Sequence, residues 1–140
     1  VLNWLRNLSS QVLIVRGNMD YLTFPKWQET VVELLRIGLT HGDEVYPRGD
    51  IEQLTDIAVH RGVDVLVHGH THVLSVDLVE RERKVLLLNP GSATGVWSGS
   101  GGSLTPSFIV LIIEGGRVTV HSYELKGNTL VHDSKTFQIK

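Results

Sequence analysis

Val63-Asp-Val-Leu-Val-His-Gly-His-Thr-His72 is the stretch that decides how this chain is read. Its first half, Val63 to Val67, is a short apolar run rich in β-branched residues. With no polar alternation, such a run predicts a strand covered on both faces, as in a parallel sheet. Its second half stops abruptly in Gly69-His70-Thr71-His72. Two imidazoles two positions apart, released from a strand end by a glycine, can enter one crevice. The carboxyl ends of parallel strands are where α/β folds gather ligands, and neutral imidazole is the commonest metal ligand. The stretch therefore predicts a buried strand that ends in a metal-type pocket.

Upstream, the same grammar recurs. Val1 to Ser9 has apolar residues at helical spacing and predicts the end of an amphipathic helix, and Gln11 to Val15 predicts a short buried strand. That strand runs into Arg16-Gly17-Asn18-Met19-Asp20, where Gly17 allows a turn and Asn18 can offer a carbonyl oxygen to a cation. Gly-Asn is also a common turn pair needing no metal. Thr30 to Leu34 and Arg36 to Thr40 predict two strands meeting near Leu35, the second ending in His41-Gly42. Asp50 to His60 carries a helical stripe of Ile51, Leu54, Ile57 and Ala58 behind Asp50 as N-cap; His60, in the last turn, is given a structural role.

Downstream, the pattern becomes antiparallel. Val73–Val79 and Val85–Leu88 predict one hairpin, and Ser107–Ile113 and Val118–Leu125 a second across a Gly-Gly turn, with a last strand from Thr129 to Ile139. Between the hairpins, Asn89 to Gly95 predicts an ordered loop and Gly99 to Gly102 a flexible tip. The expected architecture is α/β: a four-layer αββα sandwich of two mixed β-sheets, with residues 1–140 forming one domain. The sequence starts without methionine inside a predicted helix, so it is expected to be N-terminally incomplete, its first βα unit lying outside it.

Composition narrows the function. With 140 residues, 41% hydrophobic and 20% charged, the chain suits a globular protein. A net charge of −2 without a basic cluster gives no footprint for nucleic acid. The absence of cysteine excludes disulfides and thiolate metal ligands. No apolar run reaches the roughly 18 residues that suggest a membrane span.

Asn18, His41, His70 and His72 share one description: each lies at or just past the end of a predicted strand. An amide oxygen with imidazoles suits Zn, Mn or Fe(II) rather than Ca or Mg. Two such ions would clamp a phosphoryl group and activate water, but that needs a bridging carboxylate, and neither Asp20 nor Asp43 is a compelling one.

Gly17-Asn-Met-Asp20, His41 and Gly69-His-Thr-His72 resemble, in their order, the last three motifs of the calcineurin-like metallophosphoesterases. Leu13-Ile-Val-Arg-Gly17, His41-Gly-Asp-Glu-Val-Tyr-Pro47, Leu88-Asn-Pro-Gly-Ser-Ala-Thr-Gly95 and Pro106-Ser-Phe-Ile-Val110 resemble more particularly the branch of that family that serves as the small subunit of retromer. The small bacterial and archaeal phosphodiesterases share the Asn-Pro-Gly-Ser loop. Residue by residue, the resemblance implies that Asn18, His41 and His70 match ligands of one Zn or Mn ion and His72 a ligand of another. The family's opening Asp-x-His and its second motif with the bridging Asp or Asn are absent.

Met19 stands where active relatives have His, the general acid and phosphate contact. A thioether can neither donate a proton nor stabilise an anion. The resemblance therefore implies a scaffold for endosome-to-Golgi protein transport, cytoplasmic and peripheral on endosome membranes, which it reaches only through the complex. Val45, Tyr46 and Pro47 match the loop that packs into the helical-solenoid subunit, vacuolar protein sorting-associated protein 35. Val110 and Tyr123 match a hydrophobic patch on the opposite side that takes regulatory proteins, with His121 where an aromatic is usual. The alternative, supported by the four retained ligands, is a metal-dependent phosphodiesterase or phosphatase with a dinuclear Mn/Zn site.

Overall fold

The computed structural model describes residues 2–9, 11–18, 23–96 and 104–140. Met19, Asp20 and the Gly99–Gly102 tip lie outside the described residues. The elements run α1 (Leu2–Leu8), β1 (Trp27–Val32), β2 (Leu35–Thr40), α2 (Ile51–Arg61), β3 (Val65–Val67), β4 (Leu74–Glu80), β5 (Lys84–Pro90), β6 (Ser107–Glu114), β7 (Arg117–Lys126) and β8 (Thr129–Gln138). The α/β arrangement of two sheets expected from the sequence is the one found. A five-stranded mixed sheet has the order β1-β2-β3-β5-β4, and a three-stranded sheet, β6-β7-β8, is antiparallel throughout.

The central strands β3 and β5 bury both faces, which is why their sequences read as unbroken apolar runs. Val65, Leu86 and Leu88 face the smaller sheet and pack with Val118, Val120 and Ile139. Leu66, Val85 and Leu87 point the other way, onto Leu54 and Ala58 of α2. One strand thus serves two cores, because successive side chains alternate across a sheet.

Helix α2 is bounded by its own sequence. The Asp50 carboxylate accepts the Gln53 amide at 3.0 Å, satisfying one of the donors that an α-helix leaves open at its start. Gly62, at φ 72°, ends it in the left-handed conformation. The chain then enters β3 past Asp64, a buried carboxylate that accepts the Arg36 amide at 2.8 Å and faces Arg83 and Lys140, each at 3.5 Å. These contacts tie β2, the β4–β5 turn and the chain's end around the entry to β3.

Two expectations are corrected. Gln11 to Val15 is not a strand: residues 11–17 have no ladder partner among the described residues, and Gln11 and Val12 are exposed. Strand identity comes from a neighbour to pair with, and an apolar run alone does not supply one. Strand β1 begins at Trp27, earlier than expected, because the Trp27 ring packs beside Gly38 and beneath the Arg61 guanidinium, 4.6 Å from the ring centre. Helix α1 forms where expected, with no buried residue. Among the described residues no helix is long and apolar enough to cross a membrane.

Candidate metal-type site

Strands β2 and β3 are parallel neighbours with Leu39 opposite Val67. Continuing both brings His41 beside Gly69, whose amide donates to the His41 carbonyl at 2.9 Å. This pairing of the two strand ends sets His41 and His70 face to face. Their rings meet edge to face, with centroids 5.0 Å apart at 70°.

Three donor atoms converge here. His41 Nε2 lies 3.0 Å from Asn18 Oδ1 and 3.1 Å from His70 Nδ1. Ligands bound to one ion at about 2.0–2.1 Å stand about 3 Å apart, a spacing that each of these two pairs has. His72 is in the same loop but its Nδ1 is engaged with the Val96 carbonyl at 2.7 Å. That bond makes Nδ1 the protonated nitrogen and leaves Nε2 as the lone-pair donor, the way metal-binding histidines are commonly fixed. Among the described residues no three of His, Cys, Asp and Glu come together as a ligand set. What is present is an amide oxygen with two imidazoles, and a third imidazole to one side. Burial, Arg48 and His41 lower the His70 pKa, His72 adds to this, and Asp43 opposes it; the ring is thereby biased toward the neutral, ligating form.

The loop that carries these histidines is strained. His70 and His72 both have positive φ, 72° and 60°, a region that costs non-glycine residues energy unless their surroundings enforce it. Asn89 does the enforcing. Fully buried at the end of β5, its amide donates to the Gly69 carbonyl at 3.3 Å and the Thr71 hydroxyl at 2.8 Å, while its oxygen accepts the Gly91 amide at 2.9 Å. Sequence reading placed Asn89 in an ordered loop and assigned it no role. The available signal was an amide side chain interrupting the buried run Val85–Leu88, where burial demands that every polar group be bonded.

His68 was also missed. It is 3% exposed, and neither ring nitrogen has a protein partner. It lines a cavity of about 300 Å³ with Arg48, Thr71, Ser75, Asp77 and Asn89. Burial lowers its pKa to about 4, against an opposing effect from the Gly69 backbone.

The residues expected to dock partners divide. Tyr46 is 85% exposed and Pro47 is exposed beside it. Val45 is not on that surface: it is buried against Leu54 and Ala58, where its branched side chain closes the α2 core. On the outer face of the smaller sheet, Val110 is exposed and Tyr123 stacks on Phe108 with centroids 4.8 Å apart.

Residues 1–116 match the calcineurin-like phosphoesterase superfamily domain. A probable metallophosphoesterase of Methanocaldococcus jannaschii is 46% identical over 94 residues, which cover 67% of this chain and 47% of that protein. The chain thus spans about half the length of this curated relative. A single mutant of Vps29 from Entamoeba histolytica superposes with a TM-score of 0.91 at 33% identity, covering 97% of this chain and 74% of that one. Wild-type Vps29 of the same organism, complexed with Zn²⁺, superposes at 0.87 with 32% identity over 96% and 74%.

Proposed function

The chain belongs to the calcineurin-like phosphoesterase superfamily, and within it we propose a role as a retromer-type scaffold for endosome-to-Golgi protein transport. The face around the imidazole cluster docks vacuolar protein sorting-associated protein 35, the helical-solenoid subunit, and the complex holds the protein at endosome membranes from the cytoplasm. The observation that carries this reading is Tyr46. An 85%-exposed aromatic ring stands on a loop pinned to α2: the Tyr46 amide donates to Gln53 Oε1 at 3.4 Å, and Gln53 Nε2 donates back to the Tyr46 carbonyl. An aromatic anchor held on a fixed backbone loses little conformational entropy when it is covered, which is what binding hot spots require. Similarity to Vps29 over nearly the whole chain supports the same reading. So does Met19, which cannot serve as the general acid. Calorimetric titration of the full-length protein with the C-terminal half of the solenoid, with and without Tyr46→Asp, is its test.

A second reading is favoured by the convergence of Asn18, His41 and His70. These residues would hold one Zn or Mn ion, and His72 would offer Nε2 to another. Such ions supply Lewis-acid activation of water and neutralisation of a phosphoryl group. The protein's own part is to keep His70 neutral and to hold the strained loop through Asn89. On this reading the chain is a metal-dependent phosphodiesterase, and Mn-dependent hydrolysis of a generic phosphodiester that disappears in His70→Ala would establish it.

A further inference from the structure

We propose that His121 and His132, on the outer face of the three-stranded sheet, form a separate two-imidazole site for a tetragonal transition-metal ion, Cu(II) or Ni(II). Alternation fixes their placement. Val118 and Val120 of β7 are buried between the sheets, so Thr119, His121 and Tyr123 face outward. The register sets Tyr123 opposite His132 and His121 opposite Ser134, which makes the two histidines diagonal neighbours on adjacent strands.

Their rings are already brought together. His121 Nδ1 lies 2.9 Å from His132 Nε2, with ring planes 17° apart and centroids at 5.1 Å. Two nitrogens bound to one ion at about 2.0 Å stand about 2.8 Å apart at a right angle and about 3.3 Å apart at a tetrahedral one. The observed separation is short enough for both nitrogens to reach one ion, and the affinity order for nitrogen ligands, which peaks at Cu(II), favours Cu(II) and Ni(II). To take the ion, both rings turn so that their lone pairs meet at a common point. The proton between them moves to an outer ring nitrogen, so each imidazole stays neutral and a neutral pair releases no proton.

The surroundings permit this. His132 is exposed and His121 only half-buried, so neither ring is locked by packing on all sides. The His132 ring is supported from one side by Tyr123, at 4.7 Å and 18°, and Tyr123 in turn by Phe108. This three-ring row keeps the imidazole standing on its strand without a loop having to order. Directly across from His121 on either side are Val110 and Ser134. The next row is Ile112, Thr119 and Thr136, and the Glu114–Arg117 ion pair is one row further. Among the described residues no carboxylate stands beside the pair as a third ligand, so the ion's remaining positions go to water.

The test uses the full chain carrying His70→Ala and His72→Ala, which weakens the other imidazole cluster, titrated with CuCl₂ or NiCl₂. Calorimetry gives stoichiometry and affinity, and the Cu(II) electron paramagnetic resonance spectrum counts bound nitrogens. The expected result is one equivalent bound with two nitrogens. His121→Ala should weaken binding at least tenfold, and so should His132→Phe, which keeps the ring row on Tyr123 while removing the nitrogen. Affinity and spectrum unchanged in both variants, with native circular dichroism, would overturn the proposal.

Discussion

Lowering the pH from 7 to 4 is expected to remove about 3 kcal/mol of folding stability through His68 alone. The ring is 3% exposed and neither nitrogen has a protein partner, so burial disfavours its charged form. Its folded pKa is about 4 against an ordinary 6.5. The folded pKa is the lower one, so the unfolded chain binds the extra proton between these values. Stability is intact above about pH 6.5 and drains away as the pH falls toward 4. A difference of about 2.5 units corresponds to about 3 kcal/mol, a large fraction of a domain's typical 5–15. Urea unfolding at pH 7 and pH 4 checks it against His68→Leu, which keeps an apolar filling without the titrating group. The parent should lose about 3 kcal/mol more than the variant over this interval; equal losses would place the acid sensitivity elsewhere.

Leu86→Ala should cost about 3–4 kcal/mol at neutral pH. Leu86 is fully buried on β5, facing Val118 and Val120 of the smaller sheet. Truncation removes the transfer energy of the lost methyl and methylene groups and leaves a cavity between two sheets whose backbones cannot readily close on it. In denaturant titration the midpoint should fall with an unchanged slope, since the surface exposed on unfolding stays nearly the same. A loss below about 1 kcal/mol would mean that the sheets repack freely around the missing side chain.

The sequence was most legible where one local rule acts without competition. Val63–Val67 and Val85–Leu88 read as doubly covered strands because a residue pair on each serves opposite cores. Asp50 and Gly62 bound α2 through their own side-chain and backbone chemistry. The Glu114-Gly115-Gly116-Arg117 turn set its hairpin. Legibility failed where the outcome depends on a distant partner. Gln11–Val15 has a strand's composition, but residues 11–17 have no ladder partner among the described residues, and the Arg16 amide donates to the Pro25 carbonyl at 2.9 Å. Val45 sits between a glycine and a proline, as exposed residues do, yet turns inward to pack with Leu54 and Ala58 of α2. At the site, the strand-end rule holds for His41 and His70, just past the ends of β2 and β3, whereas Asn18 reaches His41 from a segment that is not a strand. It could not show that His72 leans on Val96, nor that Asn89 holds the strained loop, because both depend on contacts across 18 to 24 positions.

The central claim is that the face around Tyr46 docks a helical solenoid, and the full-length protein titrated calorimetrically with the C-terminal half of that subunit tests it most directly. Tight binding is expected, weakened at least a hundredfold by Tyr46→Asp, which sets an uncompensated charge where an aromatic ring would be buried. Circular dichroism should stay native, since the Tyr46 side chain is 85% exposed and the loop is held to Gln53 by its backbone. No binding by the unsubstituted protein, or equal binding by both proteins, would contradict the account.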